Sequence, residues 1–445
     1  MGRIKLVILS ILFIAIYVFA FVNFNNIEWL NEFITLILFI ILIFLIFIPW
    51  QGNIIKIYKN IKENNKMLSL QDEKNFMPDK NKKIAVMLSG GVDSAVVAKL
   101  LIDQGYEIEC FFMRNWDSTT NLELNNILTE DEICQQEEDY LDAKKVSKFL
   151  GVKLHRVDFV KEYWDDVFSV FLKEIEQGLT PNPDILCNRH IKFDRFVSYV
   201  NEYFPEFSYV ATGHYAKIVE RQNKKLLAQA KDSFKDQTYF LAEINIDILD
   251  KVIFPLADLK KDEVREIAKE LKIPVANKKD STGICFIGKR NFPEFISNYL
   301  KENPGKIVDL ETGQILGEHR GVLFYTIGQR KGLNLGGFDN PYFVSKKDIE
   351  NNVIYVSKGK NNEALLTKEI FAKKFNFLVD ENIINDGMKI KFKTRHSEII
   401  YDGIINHIGE NEIRIDSKEE IKAVTPGQEL VVYFNGICIG GGQIK

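Results

Sequence analysis

The stretch Val86-Met-Leu-Ser-Gly-Gly-Val-Asp-Ser-Ala-Val96 does most to limit what this chain can fold into. It grows out of Lys83-Ile-Ala-Val-Met-Leu88, apolar without a break from Ile84 on, as in strands covered on both faces. It leads into Ala95 to Ile102, where apolar residues recur at helical spacing. Two glycines between strand and helix permit a sharp bend in which successive backbone N–H groups converge, and Ser89 and Ser94 add hydroxyl donors. At a helix N-terminus, where the macrodipole favours negative charge, such a loop is a phosphate cradle. A bare strand-to-helix turn needs neither two glycines nor the flanking hydroxyls. No Gly-Lys-Ser/Thr closes the loop, so no lysine within it reaches a γ-phosphate, and different chemistry is expected from that of the common nucleotide-binding loop. Asp93 reads as a magnesium-binding or loop-orienting residue, or as the helix N-cap.

From Lys82 onward, apolar strands at 83–88, 107–112, 153–157 and 209–212 alternate with amphipathic helices such as Asp139 to Leu150. This alternation predicts an α/β fold with a doubly wound parallel sheet, whose ligands lie at the carboxyl ends of the strands. After about Phe292 the texture changes to short strand-like segments at 306–310, 321–326, 342–345, 353–357, 389–394, 412–415 and 429–434. The expected organisation is a catalytic domain over 81–291, a central β-rich domain over 292–364 and a C-terminal β-barrel-like domain over 365–445. Residues 51–80, rich in Lys, Asn and Glu, read as a basic linker.

The first 50 residues are of another kind. Leu6 to Val22 and Phe33 to Trp50 are almost wholly apolar, each near the lower limit of about 17 residues for crossing a bilayer. Arg3 and Lys5 precede the first run; Lys56, Lys59, Lys62 and Lys66 follow the second. A transmembrane helical hairpin with both ends facing the cytoplasm is expected, since no A-x-A cleavage site marks the first run as a signal peptide. The formal net charge of −4 leaves no global basic field, so any contact with nucleic acid has to come from local patches.

The five cysteines form no C-x-x-C pair, which argues against a zinc ribbon or a disulfide-stapled secreted fold and for a reducing compartment. Cys110 and Cys438 lie in apolar strand-like runs and read as small buried hydrophobes. Cys134 stands among acids that oppose a thiolate. Cys187 closes Thr180-Pro-Asn-Pro-Asp-Ile-Leu-Cys-Asn188, where two prolines hold the chain extended. Arg189 or Lys192 would lower its pKa. Cys285 lies in Asp280-Ser-Thr-Gly-Ile-Cys-Phe-Ile-Gly288, after Lys278 and Lys279, which are placed to help in the same way. These polar loops are poor core, so reactive thiols are expected at both positions.

Ser89-Gly-Gly-Val-Asp-Ser94 resembles the signature of the PP-loop ATP pyrophosphatases, which split ATP between the α- and β-phosphates and attach AMP to a substrate oxygen. Phe112-Met-Arg-Asn-Trp116, Ala211-Thr-Gly-His-Tyr215, Lys235-Asp-Gln-Thr-Tyr-Phe240, Gly317-Glu-His-Arg-Gly321, Thr326-Ile-Gly-Gln-Arg-Lys-Gly332, Ala423-Val-Thr-Pro-Gly-Gln428 and the two cysteine loops add to it. Together they resemble the tRNA-specific 2-thiouridylases, the MnmA family, over roughly residues 82 to 445.

The resemblance implies a PP-loop, adenine nucleotide alpha hydrolase-like domain. It also implies a sulfurtransferase that moves sulfur from a cysteine persulfide to C2 of the wobble uridine (U34) in tRNAs for Lys, Glu and Gln. ATP, with Mg²⁺ but no dedicated protein metal site, and a persulfide sulfur-donor or relay protein are the implied partners. Met87, Leu88, Ser89, Gly90, Gly91, Val92, Asp93, Ser94, Met113 and Gly213 match ATP-binding positions. Cys187 matches the nucleophile and Cys285 the persulfide carrier, the two forming a redox disulfide in turnover. Asn182, Pro183 and Asp184 match the target-base contact; His214, Lys235, Asp236, Gln237, Arg395, His396 and Gln428 match tRNA contacts. His396 departs from the family pattern, which has an aromatic residue such as Tyr after the arginine. Trp116 and Tyr239 are aromatic residues suited to stacking on a flipped base or to packing. Other PP-loop enzymes, such as an amidotransferase-type synthetase or a tRNA lysidine synthetase, would not need the two cysteine loops. A membrane-anchored RNA-binding protein would need neither those loops nor the phosphate cradle.

Overall fold

The computed structural model describes Leu68 and residues 74–117, 135–280 and 292–445. The hairpin expected over residues 6–50, most of the basic linker, Cys134 and Cys285 lie outside these residues. Among the described residues no helix is long and apolar enough to cross a membrane.

Strand β1 (Lys83–Met87) is followed by helix α1 (Val92–Asp103), β2 (Ile108–Arg114), α2 (Gln135–Leu150) and β3 (Leu154–Asp158). Strand β4 (Phe207–Ala211) then pairs with the other side of β1. A hairpin of β5 (Lys217–Arg221) and β6 (Lys224–Ala228) and the short β7 (Val252–Ile253) complete this part. The sheet order is β3-β2-β1-β4-β7 with all pairings parallel, and Val86 lies level with Cys110 on one side and Ala211 on the other.

Alternation along β1 decides which layer each side chain enters. Ile84, Val86 and Leu88 pack with Ala95, Ala143, Val146, Val264 and Ala268 on one face. Ala85 and Met87 pack with Phe111, Phe168, Ile191, Phe193 and Phe196 on the other. Both faces are covered, which is why β1 carries no polar residue after Lys83. The strand order reverses beside β1, so the crevice between the ends of β1 and β4 is where such a sheet binds ligands.

The central region forms a four-stranded sheet, β10-β11-β8-β9, from β8 (Gly305–Asp309), β9 (Ile315–His319), β10 (Tyr342–Asp348) and β11 (Val353–Lys358). The strand expected at 321–326 is instead a 3-10 turn over Val322–Phe324, closed by a hydrogen bond from Phe324 N to Gly321 O (3.1 Å). Gly321 there has φ +153°, a conformation that glycine permits between the end of β9 and the turn. The C-terminal region contributes β12 (Leu366–Phe377), β13 (Met388–Lys393), β14 (Tyr401–Gly409), β15 (Glu412–Lys422), β16 (Glu429–Phe434) and β17 (Ile437–Ile444). The additional β12–β17 pairing closes these six strands on themselves. The β5–β6 hairpin, which the sequence places inside the catalytic region, joins this sheet through Ile437 and Ala228.

Candidate active site

The glycine loop lies between β1 and α1, and its two glycines differ in what they do. Gly90 has φ +76°, and a Cβ there would sit 2.1 Å from the Asp139 carbonyl oxygen, so only glycine fits between the loop and α2. Gly91 is the N-cap of α1 and supplies no side-chain cap, which leaves the first N–H groups of the helix for an anion. Asp93 is therefore inside the helix and is not its N-cap. Ser94 is buried, and its hydroxyl bonds within the loop: Ser89 N donates to it (3.2 Å) and it lies 3.1 Å from the Ser89 hydroxyl. Ser94 shapes the cradle, and Ser89, which is exposed, offers its hydroxyl outward.

The loop opens on a cleft of about 400 Å³ lined by Met87, Leu88, Ser89, Gly91, Val92, Asp93 and Met113, all expected ATP-binding positions. Gly213, at the end of β4, comes so close that a Cβ would lie 3.0 Å from Ser94 N. The same cleft is lined by Lys192, Lys235, Lys261, Lys278 and Lys279. Lys261, which the sequence reading missed, heads the helix Lys261–Glu270 and is buried. Its ammonium donates to both Asp93 oxygens (2.7 Å each) and to Asp280 (2.9 Å). The Tyr215 hydroxyl also donates to Asp93 (3.0 Å). Burial works to raise the Asp280 pKa, but Lys261, Lys235 and Arg265 prevail and hold it at about 2.

Lys278 is tied to the glycine loop and α2. Its ammonium donates to Gly90 O (3.1 Å), Asp139 (2.8 Å) and Asp142 (2.8 Å), clamping the glycine loop to α2. On the far side of the cleft, Gln136 accepts from the peptide N–H of Asn115 (3.0 Å) and Trp116 (3.1 Å). Only their positions after a strand and at a helix start would have marked Asn115 and Gln136 as cleft residues.

Cys187 is not in an extended loop. Asn182 accepts from Asp184 N (3.1 Å) and caps a helical run that begins at Pro183, where the missing N–H of proline costs nothing. That run is α3 (Pro183–Leu186), a π-helical stretch Cys187–Arg195, and α4 (Phe196–Tyr203). Cys187 is fully buried in the core under the sheet, and Lys192 on the same π-helical stretch lines the nucleotide cleft. Arg189 faces Glu243 (3.2 Å). Pro183 is buried, while Asn182 and Asp184 are half-buried.

The barrel grips this segment from both sides. Thr180 N donates to Pro426 O (2.9 Å), and the Gln428 side chain donates to Thr180 O. Glu429 is buried, and burial, followed by the charge and hydrogen bond of Glu243, pushes its carboxyl well above the ordinary range.

Of the other expected RNA contacts, Lys235 lies at the cleft and pairs with Asp280 (3.2 Å), and Arg395 is exposed on the barrel. Gln237 accepts from Tyr215 N (2.9 Å). Asp236 is 1% exposed, and its oxygens accept from Ala230 N (3.1 Å), Thr238 (2.7 Å) and Gln229 (3.4 Å), so its carboxylate holds the chain. His214 lies 2.7 Å from the Thr212 hydroxyl, and burial, with the charge of Lys192, keeps it neutral. The His396 ring packs 4.5 Å from Phe240. Trp116 and Tyr239 are buried, the first among Tyr163, Trp164, Phe168 and Phe295, the second donating to Glu429 O (3.2 Å). Both are packing residues.

Comparison with known proteins gives three adjacent matches: a tRNA methyl transferase HUP domain over residues 82–289, a tRNA methyl transferase PRC-barrel domain over 293–358 and an aminomethyltransferase beta-barrel domain over 367–444. The chain is 48% identical over 372 residues to the tRNA-specific 2-thiouridylase MnmA of Mesoplasma florum, covering 82% of this chain and 98% of that protein. It is 47% identical over 369 residues to the protein of the same name from Mycoplasma capricolum subsp. capricolum, covering 81% and 98%.

Proposed function

The chain belongs to the tRNA-specific 2-thiouridylase family, and on that premise we propose how its residues carry ATP-dependent transfer of sulfur to U34 of tRNA. The observation that carries the reading is the shared helical run: Cys187 begins the stretch on which Lys192 reaches the nucleotide cleft. Sulfur chemistry and ATP chemistry are thereby built onto one element.

A C2 carbonyl oxygen is a poor leaving group, so the first step joins it to the α-phosphate of ATP and releases pyrophosphate. The N-terminus of α1 and the lysines of the cleft stabilise the charge that develops there. Mg²⁺ accompanying ATP would neutralise phosphate charge, and Asp93 is the residue placed to hold it, sharing its carboxylate with Lys261 and Tyr215. The terminal sulfur of a Cys285 persulfide then attacks C2 and expels AMP, leaving the base joined to Cys285 through a disulfide. Cys187 attacks the Cys285 sulfur, freeing the 2-thiouridine thiolate and forming a Cys187–Cys285 disulfide, which an external thiol reduces before the next turnover. A hydrosulfide released by Cys187 and attacking C2 directly uses the same residues. The sulfur arrives from a persulfide donor or relay protein, and the expected substrates are the tRNAs for Lys, Glu and Gln.

Need for tRNA and ATP places this chemistry in the cytoplasm. The apolar runs at 6–22 and 33–50 would tether it to the inner face of the membrane, which fractionation of cells expressing the full chain checks directly. For the reaction itself, AMP and pyrophosphate should form in equal amounts and only with tRNA present. ATP cleavage to ADP, or equal cleavage without tRNA, would contradict the scheme.

A further inference from the structure

The motif Thr326-Ile-Gly-Gln-Arg-Lys-Gly332 has no part in the chemistry above, yet the fold spends many bonds on it. Gly328 N donates to Val344 O (2.7 Å), Val344 N to Gln329 O (3.0 Å), and Gln329 N to Thr326 O (3.0 Å). The Gln329 side chain closes the turn from both directions, accepting from Thr326 N (3.0 Å) and donating to Lys331 O (2.9 Å). Gly328 and Gly332 both have positive φ. This rigid turn leaves Arg330 and Lys331 exposed.

The turn abuts the barrel. A Cβ on Gly328 would lie 2.5 Å from the Ala423 side chain, and Ile327 lines a cavity of about 430 Å³ together with Thr180 and Ala423–Pro426. Beside it, Lys422 at the end of β15 lies 4.7 Å over the Phe343 ring of β10. Lys422 is pushed below its ordinary value by burial and then by the charges of Lys360 and Arg395, so it feels the field of both. Among the described residues, Arg330, Lys331, Lys360, Lys422 and Arg395 make no ion pair with a carboxylate, although the chain as a whole is acidic. The acid on the turn's own loop is the exposed Asp339.

Resting on the thiouridylase reading, we infer that Arg330, Lys331, Lys360 and Lys422 form a basic seam between the central sheet and the barrel that binds tRNA phosphates and extends the surface begun by Arg395. Cations kept close without counter-charges repel one another, and a polyanion relieves that repulsion while releasing its own counterions. A rigid turn loses little conformational freedom on binding, so the geometry favours a fixed register on an RNA backbone.

The test is binding of unmodified tRNA to the full-length protein over a range of KCl concentrations, for the wild type and for R330E/K331E and K360E/K422E. Each pair should raise Kd at least ten-fold at low salt and flatten the log Kd against log salt slope by roughly 1–2. Should charge reversal perturb the fold, R330Q/K331Q serves, with the unfolding midpoint and ATP binding as checks. Its slope should flatten by a similar amount. Correctly folded variants that bind tRNA with the wild-type Kd and slope would overturn the seam. A wild-type chain that binds no tRNA would overturn the thiouridylase reading along with it.

Discussion

Lys261 and Lys278 each hold two carboxylates, whereas Arg330, Lys331, Lys360 and Lys422 hold none. The first pair is drawn into the protein and fixes the nucleotide cleft: Lys261 joins α1 to the end of the segment before Cys285, and Lys278 ties the glycine loop to α2. In the second set Arg330, Lys331 and Lys360 are exposed and Lys422 is half-buried over Phe343, and among the described residues none of them is paired with a carboxylate. The same residue types therefore build in one place and attract in the other, and what separates them is the presence of an acid within bonding distance. Charge counted along the chain cannot make that distinction, because both sets occur as ordinary lysines and arginines in a sequence with a net charge of −4.

The sharpest way to break the cleft is at Gly90. Gly90→Val puts atoms where the Asp139 carbonyl stands and forces a β-branched residue into positive φ, so tRNA-dependent AMP formation should fall by about 10³-fold or more, read as initial rate. Next comes Lys261→Met, which leaves Asp93 and Asp280 facing each other without their shared cation. The cost should be about 3 kcal/mol in denaturant unfolding, with ATP turnover lost as well. Lys278→Met removes hydrogen bonds to charged partners at a half-buried site and should cost about 1.5–3 kcal/mol, with a raised KM for ATP as the loop loses its clamp. On the seam the contrast is direct: R330E/K331E should weaken tRNA binding while leaving the unfolding free energy within about 0.5 kcal/mol of wild type.

Two carboxylates sharpen the comparison through pH. Asp280, held at about 2 in the folded protein, contributes stability that is present above its unfolded value and is lost as pH falls from about 4 toward 2; Asp280→Asn should remove that slope. Glu429 shifts the other way. A carboxyl raised by burial and by Glu243 favours folding while protonated, so its contribution fades as pH rises above the ordinary range. Glu429→Gln should flatten the decline in melting temperature on the alkaline side, the smallest effect of the set.

The parallel sheet and its glycine loop were legible because apolar strands, helical spacing and a glycine pair all point to one geometry at one place. The helix at Cys187 was not. Pro181 and Pro183 argue for extended chain until Asn182 is seen to cap the run and Pro183 to stand at its first position, where proline is favoured. Burial of Cys187 follows from Ile191, Phe193 and Phe196 on the next turns, whose spacing suits a π-helical stretch better than a regular helix. That the β5–β6 hairpin joins the barrel sheet was not legible for a different reason: the strand it meets lies some 200 positions further on, roughly from Ala228 to Ile437, beyond the reach of any local pattern. Lys261 was missed because pairing and burial, not residue type, decide what it does.

The most direct test of the account is single-turnover transfer of labelled persulfide sulfur to tRNA by the full-length protein with ATP, compared with Cys285→Ser and Cys187→Ser. Without added thiol, free tRNA carrying labelled 2-thiouridine should form with the wild type only. Cys187→Ser should still form AMP and hold the tRNA on Cys285 through a disulfide that added thiol releases. Label appearing in 2-thiouridine with Cys285→Ser at the wild-type rate would contradict the roles given to both cysteines.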